Sequence, residues 1–133
     1  MNRDRFLSSY IETALWSSTD DDGTPLDSTK YSDTELAEET IKAMQSDCES
    51  FEKQASELIE AYRNTIDGDA RTANYTARRE QVAHDFWLTR NHHGAGFWGG
   101  DYPKPLGEQL TKLAHMFPER NLYIGDDGLF YQA

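Results

Sequence analysis

Apolar side chains recur every three or four residues in several parts of the chain, and this spacing predicts amphipathic helices. The first such pattern covers residues 3–17, RDRFLSSYIETALWS. Its apolar face is formed by Phe6, Leu7, Tyr10, Ile11, Ala14 and Leu15. The segment that follows, STDDDGTPLDSTKYS, is rich in Asp, Ser, Thr, Gly and Pro, and it predicts a loop.

A longer pattern follows this loop. Ser32 and Glu35 match the signature of a capping box, so we expect one helix from residue 33 to about residue 65. Its apolar positions alternate four and three residues apart, as in a heptad stripe: Ala37, Ile41, Met44, Cys48, Phe51, Ala55, Leu58 and Tyr62. This stripe packs on the chain's own helices, joins a second copy in a coiled coil, or is interrupted near residues 46–47.

The C-terminal half predicts three further elements. A helix is expected over residues 74–91, with Asn74 as its N-cap and Gly94 as the residue that ends it. A short helix over residues 105–116 and a hairpin around Gly125-Asp126-Asp127-Gly128 follow. We therefore expect a single domain over residues 1–133 of the mainly α (α+β) class. It would have three main helices, including the long acidic heptad-striped helix, one short helix and a C-terminal β-hairpin.

Charge is distributed unevenly along the chain. The net charge is −11, and residues 1–67 hold 16 of the 24 acidic side chains but only 6 of the 13 basic ones. Such an excess repels nucleic acid, so direct nucleic-acid binding is not expected despite the arginines and aromatics of the second half. The chain lacks an apolar run long enough to span a bilayer and the apolar core of a signal peptide. We expect a soluble intracellular protein without membrane contact.

The predicted long helix carries most of this acidity. Its acidic interaction face is expected to comprise Glu35, Glu38, Glu39, Glu49, Glu52, Glu57 and Glu60. A surface of this kind attracts a partner protein with a basic surface, including a groove that normally holds nucleic acid. It is also typical of an ordinary solvated helix.

The stretch HDFWLTRNHHGAGFWGGDYP, residues 84–103, concentrates histidines, tryptophans and glycines. Its candidate binding residues are His84, Asp85, Arg90, Asn91, His93, Phe97, Trp98 and Tyr102. The histidines at the helix end suit a cap on the last carbonyls. The loop aromatics either fold back onto the core or form an exposed binding patch.

Catalysis by this stretch is left open, and a non-enzymatic role is favoured. His84 or His93 with Asp85 could form an acid–base pair, but the stretch contains no serine or cysteine nucleophile. Adjacent histidines lack the i, i+4 spacing of a zinc helix, and the chain has a single cysteine, Cys48. We therefore expect neither a metal nor a cofactor.

HDFWLTRNHHGAGFW, together with ALWSSTDDDGTPLD and LYIGDDGLFY, resembles a group of small tailed-bacteriophage proteins. These carry ALWSST, an acidic run and GxPLD, then HDFWLTRNGHGAGFWDR and DLYVGDDG. The resemblance spans nearly the whole chain and implies a phage origin, with a role in the cytoplasm of an infected bacterial host, but no mechanism. The matching residues are His84, Asp85, Phe86, Trp87, Leu88, Thr89, Arg90, Asn91, His93, Gly94, Ala95, Gly96, Phe97 and Trp98.

Two departures from this pattern bear on function. His92 stands where the pattern has glycine, which makes His93 the better candidate of the two histidines. Gly99 and Gly100 replace an Asp-Arg pair, so this chain lacks the charged pair of the pattern.

These observations favour a phage-encoded acidic accessory protein that binds and inhibits or redirects a host nucleic-acid-handling or defence protein, in part by imitating DNA. One alternative is a small enzyme or a nucleotide- or phosphate-binding module centred on residues 84–93. Another is a homodimeric structural phage protein.

Overall fold

The computed structural model describes residues 4–65, 79–99, 102 and 104–133. Its helices are α1 (Arg5–Ser17), α2 (Glu38–Thr65), α3 (Arg79–Arg90) and α4 (Lys104–His115). The strands β1 (Leu122–Ile124) and β2 (Phe130–Gln132) pair in an antiparallel hairpin. The mainly helical class with a C-terminal hairpin is thus confirmed. The division into three main helices and one short helix is not confirmed, because α2 alone is long among the described helices and α3 and α4 both have 12 residues.

One cluster of buried side chains holds the described elements together. Its centre is aromatic: the rings of Phe51 from α2 and Phe86 from α3 stack with their centroids 4.0 Å apart, and Tyr10 from α1 lies 5.3 Å from Phe86. Burial of such large side chains supplies most of the favourable free energy of folding. Leu106, Leu110, Leu113 and Ala114 of α4 lie at helical spacing and are all buried.

The long helix begins at Glu38, five residues after the predicted start, so the capping-box prediction was wrong. Ser32 instead ends a short 3-10 turn, Thr29–Tyr31. Residues 35–37 are extended because they pair with the hairpin: the Phe130 amide donates to the Glu35 carbonyl at 2.9 Å, and the Ala37 amide donates to the Phe130 carbonyl at 2.9 Å. A long-range backbone contact overrides the local capping signal.

Four residues of the predicted stripe, Met44, Cys48, Phe51 and Ala55, belong to the chain's own hydrophobic core, and Ala37 is also buried. Tyr62 has a side chain outside the described set. A homodimer therefore stays a prediction, and these four side chains are already covered within one copy. Burial also raises the pKa of the Cys48 thiol, and the neighbouring carboxylate of Asp47 adds to this shift.

The predicted loop after α1 is organised by Asp20. Its carboxylate accepts hydrogen bonds from the backbone amides of Asp22 and Thr24, both at 2.9 Å, and from the Tyr31 hydroxyl at 2.5 Å. Lys30 lies 3.1 Å away. These bonds, that of Tyr31 above all, hold the pKa of Asp20 well below its usual range. The carboxylate thus closes the loop.

The hairpin forms where the sequence predicted it. The Gly128 amide donates to the Gly125 carbonyl at 2.9 Å, and Gly128 has a φ of 82°, which glycine adopts readily. The Tyr131 ring lies so close to Gly125 that a side chain there would meet it at 2.4 Å. The turn therefore favours glycine at residue 128 for its backbone conformation, and at residue 125 because a side chain would clash with Tyr131.

One predicted feature lies outside the described residues, namely the start of the third helix at residues 74–78, with Asn74 as N-cap. Within the described residues, no helix combines the length and apolar character that a membrane span requires.

Candidate functional site

A row of hydroxyl groups on α1 joins this helix to the start of the 84–103 stretch. Ser9, Thr13 and Ser17 are four residues apart and lie on one face of α1. The Ser9 hydroxyl donates to the Glu80 carbonyl at 2.8 Å, and Ser17 accepts a hydrogen bond from the Trp87 indole at 2.9 Å. The sequence analysis missed this row, although its spacing on a helix was a usable signal.

His84, a predicted binding residue, lies at the middle of this row. Its Nδ1 is 3.1 Å from the Thr13 hydroxyl oxygen, whose proton goes to the Ser9 carbonyl at 2.8 Å. In the neutral ring, Nδ1 is therefore assigned as the donor. The ring of Trp16 stacks on His84 with centroids 5.6 Å apart, and Trp16 is 47% exposed. His84 thus belongs to the contact between α1 and α3.

Asp85 is buried and binds to side chains of its own fold. Its Oδ2 accepts hydrogen bonds from the Tyr102 hydroxyl at 2.8 Å and from the Gln81 amide at 3.1 Å. Asp85 and Tyr102 come from the two ends of the predicted stretch, so this bond closes the loop between them. The His84 imidazole contacts Thr13, and these contacts do not join it to Asp85 as an acid–base pair. His93, the other predicted partner of Asp85, is exposed.

Arg90 is completely buried at the end of α3. Its guanidinium donates to the Pro118 carbonyl from Nε at 3.0 Å and from Nη2 at 2.6 Å, and Nη1 donates to the Tyr10 hydroxyl at 2.9 Å. Nη1 also contacts the Asp47 carboxylate at 2.8 Å. A buried charge requires such bonds, because the interior does not replace its lost hydration. Arg90 therefore ties α1, α2 and the segment after α4 to α3.

Phe86 and Phe117 provide further contacts for this guanidinium. Their ring centroids lie 5.3 and 5.4 Å from the Arg90 Cζ atom. A guanidinium near the face of an aromatic ring gains a cation–π attraction. These contacts of Arg90 are all internal, so this side chain supports the fold.

The end of α3 adopts a Schellman motif, in which two amides bond back to the last turn. The His93 amide donates to the Leu88 carbonyl at 2.9 Å, and the His92 amide donates to the Thr89 carbonyl at 3.1 Å. His92 takes the left-handed position with a φ of 57°. The expectation that Gly94 ends the helix in this position was wrong by two residues, because the helix stops earlier.

The candidates at this helix end differ in exposure. Asn91 donates to the Trp87 carbonyl at 3.0 Å and accepts from the Arg120 amide at 2.8 Å, so it also fixes the chain after α4. His93 is exposed. His92 stacks on His115 with centroids 4.5 Å apart and lies 3.6 Å from the Glu119 carboxylate.

The two loop aromatics take opposite positions. Phe97 is buried and stacks on Phe51 with centroids 5.7 Å apart, while Trp98 is 56% exposed. The Phe97 amide donates to the Thr89 hydroxyl at 3.2 Å. Gly96 makes this approach possible, because a Cβ there would lie 2.2 Å from the Thr89 Oγ1 atom. Phe97 thus folds back onto the core, whereas Trp98 is exposed.

The acidic face predicted on the long helix is directed largely to solvent. Glu52 is half-buried and Glu35 precedes α2, while the exposed members are Glu35, Glu38, Glu39, Glu49, Glu57 and Glu60. Glu38, Glu49 and Glu60 are eleven residues apart, so they form one row with a spacing of about 16 Å. Lys42 lies 3.3 Å from Glu38 and offsets part of this charge.

In the described part of the 84–103 stretch, Asp85, Arg90 and Asn91 form hydrogen bonds within the fold, and the side chains of His92, His93 and Trp98 are exposed. A groove of about 400 Å³ lies elsewhere, between α2 and α4, and includes Leu58, Leu113 and Met116 in its lining. Among the described residues, no group of three or more His, Cys, Asp or Glu side chains has a geometry suited to a metal ion.

Comparison with protein-family models, with curated proteins and with solved structures finds no match to this chain.

Proposed function

We propose that this chain is an acidic accessory protein, encoded by a phage, that binds a basic surface of a host nucleic-acid-handling or defence protein in the bacterial cytoplasm and inhibits or redirects it. The proposal is supported by which charged side chains are buried within the fold and which are exposed to solvent. The charged side chains of the 84–103 stretch that are most buried, Asp85 and Arg90, bond inside the fold. The exposed carboxylates of α2 include the row formed by Glu38, Glu49 and Glu60.

A row of this kind favours association with a basic partner for a simple electrostatic reason. Carboxylates on a rigid helix keep their spacing, so a complementary row of Lys or Arg can approach without reordering them. The charge density stays below that of duplex DNA, which carries one charge per about 1.7 Å of axis. We therefore propose partial imitation of DNA, with the exposed Trp98 as a further contact.

The enzyme alternative gains no support from these contacts. His84 bonds to α1, Arg90 bonds to a backbone carbonyl, and Asn91 bonds to two backbone groups. A ligand could bind to these side chains only after their hydrogen bonds within the fold were broken. The matched residues of the phage motif are better explained as a fold-determining set.

The proposal is tested by affinity capture from lysate of a bacterial host at about 0.05 M and about 0.5 M salt, concentrations at which screening differs strongly. The bait carries Glu38→Gln, Glu49→Gln and Glu60→Gln together. The matched control bait carries Asp21→Asn, Asp22→Asn and Asp27→Asn, which remove the same charge from another exposed region. Any retained protein is purified, and its affinity is measured with and without competing duplex DNA.

We expect a basic nucleic-acid-handling protein to be retained at low salt and lost at high salt. The α2 variant should weaken its binding by about tenfold, the control should bind as the unmodified chain does, and DNA should compete. Equal weakening by both variants would show that only net charge matters, and it would contradict a role for α2. Retention of no protein at either salt concentration would contradict the whole proposal.

A further inference from the structure

The outer edge of β1 has no backbone partner among the described residues. Hydrogen bonds join Asn121 to Ala133 in both directions, and the Gly125 amide donates to the Leu129 carbonyl. With Tyr123 opposite Tyr131, the odd-numbered residues of β1 therefore direct their backbone groups towards β2. The amides and carbonyls of Leu122 and Ile124 point to the opposite edge.

The other edge of the hairpin confirms this alternation and is already occupied. The Phe130 amide and carbonyl, which also point away from the β1–β2 ladder, bond to Glu35 and Ala37. Among the residues that the structure describes, the hairpin thus has one edge that is covered and one that is open. The open edge contains neither proline nor lysine, the residues that commonly prevent edge pairing.

A second copy of the chain fits this edge in one register. Antiparallel pairing of Leu122 with Ile124 of the other copy lets all the outward backbone groups of β1 bond to one another, and it places Tyr123 on the two-fold axis. In any other register, some of the outward amides and carbonyls of Leu122 and Ile124 would lack a hydrogen-bond partner within β1 of the other copy. The same register brings Arg120 towards Asp126 of the other copy, the first turn residue after Gly125, so opposite charges are expected near both ends.

Side chains also favour this pairing. Tyr123 is 49% exposed and Ile124 is 38% exposed, although both belong to a strand. Tyr123 already stacks on Tyr131 with centroids 5.8 Å apart. Pairing about Tyr123 would extend this contact into a row of four tyrosine rings, two from each copy, and cross-strand aromatic pairs stabilise sheets.

We propose that the chain forms a two-fold symmetric homodimer by antiparallel pairing of β1 with β1 of a second copy. The hairpins of the two copies then make one continuous four-stranded sheet. The proposal is independent of the acidic face of α2, which lies on another element.

Sedimentation equilibrium from about 1 to about 200 µM tests the proposal, since this range covers weak self-association. The unmodified chain should reach the mass of a dimer. Ile124→Pro removes an outward amide, and Tyr123→Lys places two like charges on the axis. Each should raise the dissociation constant by about tenfold or more. Ile124→Val is the matched control and should leave the constant within about twofold, because it keeps the amide.

A charge exchange tests the register without changing the backbone. Arg120→Asp and Asp126→Arg should each weaken the dimer, and the double variant should restore it, because each end again pairs opposite charges. Circular dichroism confirms that every variant is folded. A chain that stays monomeric throughout the range would overturn the proposal. A dimer that Ile124→Pro and Tyr123→Lys leave intact would also overturn it, because the contact would then lie elsewhere.

Discussion

Replacing Arg90 by alanine removes the donor of four buried or part-buried hydrogen bonds at once. The Pro118 carbonyl loses both of its bonds from Arg90, the Tyr10 hydroxyl loses the Nη1 bond, and the Asp47 carboxylate, in a residue whose side chain is 29% exposed, loses its cation. Breaking one member of a buried ion pair typically costs about 3–5 kcal/mol, and each unsatisfied polar group adds about 1–3 kcal/mol before relaxation. The partial exposure of Asp47 reduces its share. We expect a loss of about 4 kcal/mol in the free energy of unfolding.

This loss is measured by urea unfolding followed by circular dichroism. A domain of this size is typically stable by about 5–15 kcal/mol, so a loss of about 4 kcal/mol should move the unfolding midpoint to a much lower urea concentration. Arg90→Lys should cost less, about 2 kcal/mol, because the ammonium keeps the charge but cannot reach the same acceptors. Arg5→Ala is the matched control, since Arg5 is exposed, and it should change stability by less than about 0.5 kcal/mol. A cost below about 1.5 kcal/mol for Arg90→Ala would refute the reasoning, because the buried bonds would then not anchor the fold.

Three further predictions follow from single residues. His92→Gly should stabilise the protein by about 1 kcal/mol, because glycine adopts the left-handed conformation without strain, and a lower melting temperature would contradict this. Cys48 should react with a thiol reagent at least about 100-fold more slowly in the folded chain than in urea, since burial raises the pKa of its thiol and blocks access; equal rates would argue against the core position. The Asp127 carboxylate raises the pKa of Tyr131 to about 12, so the folded chain favours the protonated phenol. The resulting contribution to stability is complete below about pH 10 and is lost as the pH rises through 12. An absorbance titration should show a tyrosine that ionises at this high pH, and Asp127→Asn should lower the pKa of Tyr131. An unchanged titration curve in the variant would rule out the Asp127 contact as the cause.

The amino-acid sequence determined the elements whose signals are local. The apolar faces of α1 and α4 repeat with the period of a helix, and the turn between β1 and β2 needs only glycines at the correct positions. The sequence also predicted the outward acidity of α2, because carboxylates stay in water unless they are paired. These features depend on neighbours within a few residues.

The tertiary structure decided the features that depend on distant partners. Phe130 extends residues 35–37 and moves the start of α2 beyond Ser32, because backbone pairing outweighs a capping side chain. Arg90 reads as a surface or ligand-binding residue until Tyr10, Asp47 and Pro118 are seen around it. A polar motif becomes a site or a structural anchor according to which groups the fold brings within bonding distance, and sequence spacing alone does not specify those groups.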